Sequence, residues 1–257
     1  MLFDILTLFP AMFEGAFSDS IIKRAQERKL VTIEISNIRD WAEDKRHGTV
    51  DDYPYGGDAG MLMKPGPLAA AIMAHRERHA ALKPKVVFLT PQGELLRQSV
   101  IESLLGEQAL IILCGRYKGI DQRIRERYID REISVGDYVL SGGEIPAMAL
   151  VDAVTRLIPG VLNSRESAEA DSLYDGLLSY PQYTRPEEFE GCRVPEVLLS
   201  GHHVNIKAWQ REQSEAVTRA RRPDLLEEYR KKRESENNKV KKGSQQSEAR
   251  KKKSKDN

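Results

Sequence analysis

The sequence predicts an α/β protein, a parallel sheet with helices on both faces, plus a small, mainly helical C-terminal domain. Three observations carry this. Short apolar runs alternate with helical segments through the first 160 residues, the pattern of strands joined by crossovers. Two glycine-bearing loops, Leu113-Cys-Gly-Arg-Tyr-Lys-Gly-Ile-Asp121 and Ser134-Val-Gly-Asp-Tyr-Val-Leu-Ser-Gly-Gly-Glu144, each follow a strand-like run. Loops at the ends of successive strands are where α/β proteins form ligand sites. Finally, 257 residues with 40% apolar content suffice for one large domain or two ordinary ones.

In order, residues 2–8 read as a buried strand closed by Pro10, 20–29 as a helix and 30–35 as a strand. Residues 51–66 form a loop rich in glycine and proline, centred on Tyr53-Pro-Tyr-Gly-Gly-Asp-Ala-Gly60. An alanine-rich helix over 67–81 starts on Pro67, whose fixed φ suits a first turn. A strand at 85–90, a turn at Pro91-Gln-Gly-Glu94 and a helix at 94–105 follow. Then come a strand at 109–114, a short helix at 121–127, a strand at 129–134, and a helix at 144–158 stopped by Pro159-Gly160. These make a first domain of residues 1–160.

Residues 161–175 are polar with little periodicity and read as a flexible linker, the kind of connection that serves as a lid. A second domain spans 176–230. Its main helix, 205–222, places Ile206, Trp209, Ala216, Val217 and Ala220 on one face and Lys207, Arg211 and Arg222 on another. From Lys231 to Asn257 the aliphatic residues are Val240 and Ala249, too few to offset the entropy of ordering, so this tail is predicted to be disordered. It carries 11 basic and 4 acidic residues, leaving 29 basic and 35 acidic in residues 1–230. Such a tail suits loose binding of a polyanion, or solubility alone.

Several function classes are excluded as readings of the sequence. It has no G-x-G-x-x-G and no G-x-x-x-x-G-K-[ST], so the loops do not grip a pyrophosphate in those ways. Cys114 and Cys192 lack metal-ligand spacing. The start has no basic region before its short apolar run, which Asp4 interrupts, and no stretch approaches the roughly 20 apolar residues of a membrane span. A soluble, cytoplasmic protein is expected. The loops suggest a ligand held by main-chain amides and carbonyls, with Arg116, Asp121 and Asp137 among the glycines.

The chain resembles the bacterial tRNA (guanine-N1)-methyltransferases (the TrmD family) of the knotted SPOUT class over roughly residues 1–226. The resemblance rests on segments in order along the chain, among them Leu8-Phe-Pro10, Thr49-Val-Asp-Asp52, Pro54-Tyr-Gly-Gly57, Gly60-Met-Leu-Met63, Pro91-Gln-Gly93 and Cys114-Gly-Arg-Tyr117. The run Gly136-Asp-Tyr-Val-Leu-Ser-Gly-Gly-Glu144 is the most specific, followed by Ile158-Pro-Gly-Val-Leu162, Tyr183-Thr-Arg-Pro186 and Val197-Leu-Leu-Ser-Gly201. Lys118, Asp58 and Gly48 depart from residues common in the family.

The resemblance implies a trefoil knot in the sheet, a homodimer sharing its active sites, S-adenosylmethionine as methyl donor, and tRNA with guanosine at position 37 as substrate. It implies a donor pocket of Leu89, Thr90, Pro91, Gly93, Gly115, Tyr117, Ser134, Val135, Gly136, Asp137, Tyr138, Val139, Leu140, Gly142 and Gly143. Arg39, His47, Asp51, Asp52, Tyr55, Gly56 and Gly57 fall where the family shapes its guanosine and RNA surface. Asp171 corresponds to the general base and Arg156 to the arginine that stabilises charge on O6. Residues 176–230 would then bind tRNA. Magnesium (Mg2+) is a further candidate cofactor, although no carboxylate cluster in the sequence announces a metal site.

Overall fold

A strand whose every residue is buried must be covered on both faces, and two segments meet that condition at all positions, Leu2–Thr7 (β1) and Ala109–Cys114 (β6). The computed structural model describes residues 1–162 and 171–235 and divides the chain into two compact units, Met1–Arg165 and Glu166–Asn257. In the first unit β1 and β6 lie side by side in a five-stranded parallel sheet with β2 (Thr32–Asn37), β5 (Lys85–Leu95) and β7 (Arg131–Ser134), in the order β2-β1-β6-β5-β7. A separate two-stranded hairpin pairs β3 (Asp51–Asp52) with β4 (Leu62–Met63).

The two-residue period of a strand sorts side chains between two cores. Phe3, Ile5, Val87, Leu89, Leu110 and Ile112 face one core, covered by α1 (Ser20–Glu27), α3 (Gln98–Leu104) and α5 (Glu144–Thr155). Leu6, Val86, Phe88, Ile111 and Leu113 face the other, covered by α2 (Pro65–Arg78) and α4 (Gln122–Tyr128). Each fully buried Leu or Ile contributes roughly 1.5–3 kcal/mol. The covered parallel sheet expected from the sequence is therefore present.

Several expected boundaries change. The turn at 91–94 and the helix from 94 give way to a longer strand. Leu89 and Glu94 both register with Ile133, so Thr90–Gly93 bulge outward and Glu94 and Leu95 return to pair with β7. The helix therefore starts only at Gln98, once the chain has left the sheet. The loop at 51–66 contains the β3–β4 hairpin, and α2 begins at Pro65 and ends at Arg78 rather than running 67–81. α5 ends at Thr155, where Arg156 closes the last turn, three residues short of expectation.

In the second unit Glu188–Phe189 (β8) and Cys192–Arg193 (β9) form a hairpin absent from the sequence reading. A short helix, α6 (Glu196–Leu199), precedes α7 (His203–Arg221). The buried stripe of α7 is shifted from the expected one: Ala216 and Ala220 are exposed, and Thr218 is buried. A threonine can take that place because its hydroxyl is satisfied, accepting from Leu178 N–H at 2.9 Å and donating to Ser214 O at 2.6 Å. A last helix covers 223–235, so the first five residues of the expected tail are helical; 236–257 lie outside the described residues, as do 163–170 of the expected linker.

Candidate functional site

β6 and β7 both end in glycine loops, yet β5 lies between them, so the chain leaving β7 must cross the end of β5 to approach β6. It does so tightly. Gly143 N–H donates to Gly115 O at 2.9 Å, and Gly142 bridges Arg116 in antiparallel fashion. A Cβ on Gly143 would stand 2.7 Å from Cys114 Cα, so the approach requires glycine.

Arg116 clamps the two loops. Its Nη1 donates to Ser141 O at 3.0 Å, its guanidinium lies 4.3 Å from the Phe9 ring centroid, and its Nε is 3.4 Å from Glu144 Oε2. Glu144 is buried and accepts from Thr7 Oγ1 at 2.9 Å. Burial, reinforced by the Glu144 charge, pushes the Cys114 thiol well above its ordinary value. That sulfur stays protonated and is no nucleophile.

Together with the Thr90–Gly93 bulge the loops enclose a cavity of about 300 Å³. Its wall includes Leu89, Thr90, Pro91, Gly115, Tyr117, Ser134, Val135, Gly136, Tyr138, Val139, Leu140, Gly142 and Gly143, all expected as donor-pocket residues. Two expected residues do not line it. Asp137 is exposed, and Gly93 packs against the backbone of β7, where a Cβ would lie 2.4 Å from Glu132 C and Ile133 N. Arg116, singled out in the first loop, also lines it, and so do Phe88, Lys118, Ile133 and Pro146, which had not been expected. Lys118 sits within the first loop, and for the other three closeness in sequence to the predicted strands, loops and helix was the signal. The lining carries two cations, Arg116 and Lys118, and no carboxylate.

The β3–β4 hairpin is tied to the first loop. Lys118 N–H donates to Met61 O at 3.0 Å, Met63 N–H to Gly119 O at 3.1 Å and Asp121 N–H to Met63 O at 3.2 Å. The segment between the two strands holds Tyr55, fully exposed, with Gly56 and Gly57 beside it, and Tyr53 is largely exposed. Asp52 caps Tyr53 N–H at 2.8 Å, and Asp51 pairs with Met63. Arg39 Nη1 donates to Gly48 O at 2.9 Å, which fixes the segment bearing His47. His47 is exposed with Nδ1 2.6 Å from Asp44 Oδ2, and that hydrogen bond holds the Asp44 carboxyl below its ordinary value. The structure thus joins the hairpin that carries Asp51, Asp52, Tyr55, Gly56 and Gly57 to the loop that lines the cavity. Exposed aromatic side chains of this kind are suited to stacking on unpaired bases.

Arg156 is half-buried at the C-terminus of α5. Asp171 belongs to the second unit, where with Asp175, Tyr180, Lys207 and Arg211 it lines a cavity of about 190 Å³. Within that unit Arg211 pairs with Asp175 at 3.1 Å and with Glu215 at 3.0 Å, and stacks 4.7 Å from the Tyr229 centroid. Trp209 meets Tyr180 and Tyr183 at centroid distances of 6.4 and 6.5 Å. No helix among the described residues is long and apolar enough to cross a membrane.

Residues 1–228 match the family model described as tRNA (Guanine-1)-methyltransferase TrmD. The chain is 57% identical over 226 residues to a Geotalea uraniireducens protein, an alignment covering 88% of this chain and 90% of that one. It is 58% identical over 226 residues to a Chloroflexus aggregans protein, covering 88% of each. With a Geobacter sulfurreducens protein the identity is 56% over 227 residues, covering 88% and 91%. All three relatives carry the name tRNA (guanine-N(1)-)-methyltransferase.

Proposed function

The chain belongs to the tRNA (guanine-1)-methyltransferase family and is a tRNA (guanine-N1)-methyltransferase, and from that premise we propose that its methyl donor is S-adenosylmethionine and its target guanosine 37, beside the anticodon. The observation that carries the donor reading is the single cavity walled by Leu89–Pro91, Gly115, Tyr117, Ser134–Gly136, Tyr138–Leu140, Gly142 and Gly143. Its volume is at the lower end of small-ligand sites, roughly 300–1,000 Å³, and its glycine and apolar lining suits an adenine and ribose approached closely by main chain.

S-adenosylmethionine supplies an electrophilic methyl group on a sulfonium. The protein's task is to make guanine N1 a nucleophile. Asp171 accepts the N1 proton as general base, and Arg156 donates to O6 as negative charge develops there. Positioning of the two reactants supplies further acceleration. The cavity lining includes no Asp or Glu, so magnesium bound there would rest on hydroxyl, main-chain carbonyl and water oxygens.

A trefoil knot is supported by the crossing of residues 135–143 over the end of β5 and their close packing on Cys114 and Gly115. A homodimer is supported by partly exposed apolar side chains beside the cavity: Phe9 and Met12, both touching Arg116, and Ile145 next to Glu144. Residues 161–175 act as the lid, and 176–230 bind tRNA in the cytoplasm, a role supported by exposed Lys207, Arg219 and Arg221 on α7.

The test is transfer from labelled S-adenosylmethionine to unmodified tRNA, with the product nucleotide mapped by mass spectrometry. One methyl on N1 of guanosine 37, and none in a transcript bearing adenosine there, is the expected result. Label at another nucleotide would overturn the assignment of position 37. The tail makes a separate contribution. Removing 236–257, which hold eight Lys and Arg, is expected to weaken tRNA binding at low salt, flatten its salt dependence by about 0.7–0.9 per lost phosphate contact, and leave kcat unchanged. An unaltered salt slope in filter-binding titrations would remove the tail from the RNA contact.

A further inference from the structure

Away from the cavity, the sheet edge and α2 build a second polar site. Asp4 and Glu34 are register partners on β1 and β2 and so project to the same face. His75 and His79, four residues apart, lie on the α2 turn facing them and at its end, and two histidines at that spacing present their rings to one point. We propose that these four side chains bind one divalent transition-metal ion of the zinc type.

The distances fit. His79 Nε2 lies 3.3 Å from Asp4 Oδ2 and 3.4 Å from Glu34 Oε2, and His75 Nδ1 lies 2.5 Å from Asp4 Oδ2. One ligand atom each from Asp4, His75 and His79 falls within 4.8 Å of the others, whereas Glu34 stands outside that group and would move in from its contact with His79 to complete the set. A tetrahedral ion with ligands at about 2.0–2.2 Å needs ligand atoms separated by about 3.3–3.6 Å, so His79 already stands at tetrahedral spacing from both carboxylates. His75 must withdraw by less than an ångström from its hydrogen bond to Asp4 to join them.

The electrostatics also ask for a cation. Asp4 is completely buried, yet its Oδ1 has no hydrogen-bond partner. Glu34 Oε2 and His79 Nε2 are likewise buried without one. The largely exposed Arg78 side chain reaches Glu34 Oε2 through Nη1 at 3.2 Å. A buried carboxylate is costly unless paired or metal-bound, and two imidazoles with two carboxylates form a ligand set suited to zinc. Trp41 stacks edge-on against His75 with centroids 5.1 Å apart, fixing that ring. Such an ion would staple α2 to the β1–β2 edge of the sheet.

The full-length protein, stripped with chelator and exchanged into metal-free buffer, is titrated with ZnCl2 by calorimetry and with CoCl2 by visible absorption. One ion per chain is expected, with the absorption bands of tetrahedral cobalt. His79→Gln should weaken binding at least tenfold and abolish the bands. The exposed histidines of the second unit, His202 and His203, are replaced by alanine in both proteins so that they do not contribute. If His79→Gln does not fold, Glu34→Gln, at a partly exposed position, takes its place with the same expected tenfold loss. Absence of binding, or binding undiminished in the variant, overturns the proposal. Neither readout involves tRNA or methyl transfer, so the result is independent of the catalytic reading.

Discussion

Asp171→Asn is expected to fold, bind tRNA and bind the methyl donor as the wild type does, while transferring methyl groups about 10²–10⁴-fold more slowly, the usual contribution of a general base. The amide keeps the size and the polar oxygen of the carboxylate but has no useful basicity. Neutral guanine holds a proton on N1, and the lone pair needed for attack is freed only as that proton leaves. Because the loss lies in the chemical step, kcat and kcat/KM should fall together with KM little changed. Single-turnover transfer with saturating donor is the measurement. Full turnover by Asp171→Asn would take the proton-acceptor role away from this residue.

The legibility of the sequence follows burial. β1 and β6 stand out because they are buried on both faces and hence apolar without interruption. β8 and β9 do not, because two-residue strands with exposed side chains leave neither periodicity nor apolar content to read. Glu94 illustrates a different loss. Its neighbours look like the first turn of a helix, but pairing with Ile133 keeps the chain on the sheet for two more residues, and long-range pairing overrides local propensity.

The pocket was legible as two loops. The clamp that joins them was not, since Thr7, Arg116 and Glu144 are far apart in sequence and meet only through the topology. The same holds for Asp4 and His75, 71 positions apart. Alone, Asp4 looks like an interruption of an apolar strand and His75 like part of an alanine-rich helix. Their chemistry exists only once β1 and α2 are packed together. The catalytic assignments have a different origin: they rest on family resemblance, because an arginine ending a helix and an aspartate in a polar linker have ordinary structural explanations.

Gly93→Ala carries the largest expected stability effect. The bulge Thr90–Gly93 lets β5 pair with β7 on both sides of an excursion that walls the cavity, and Gly93 is where that excursion rejoins the sheet. An alanine Cβ there would sit 2.4 Å from Glu132 C and Ile133 N and 2.6 Å from Glu132 O. All three are backbone atoms of a paired strand, so no side chain can swing aside and either β7 or the bulge must move. Overpacking of this kind costs about 3 kcal/mol, which in a protein of this size lowers Tm by about 6–12 °C. Donor affinity should fall as well, because a displaced bulge carries Thr90 and Pro91 away from the cavity wall. Gly15→Ala provides the control: nothing lies within 4 Å of its added Cβ, and a surface change of that kind stays within about 0.5 kcal/mol. Calorimetric melting of the two variants separates the cases. If Gly93→Ala melts with the wild type, β7 has slack that the observed packing denies, and the bulge is not what holds the pocket in shape.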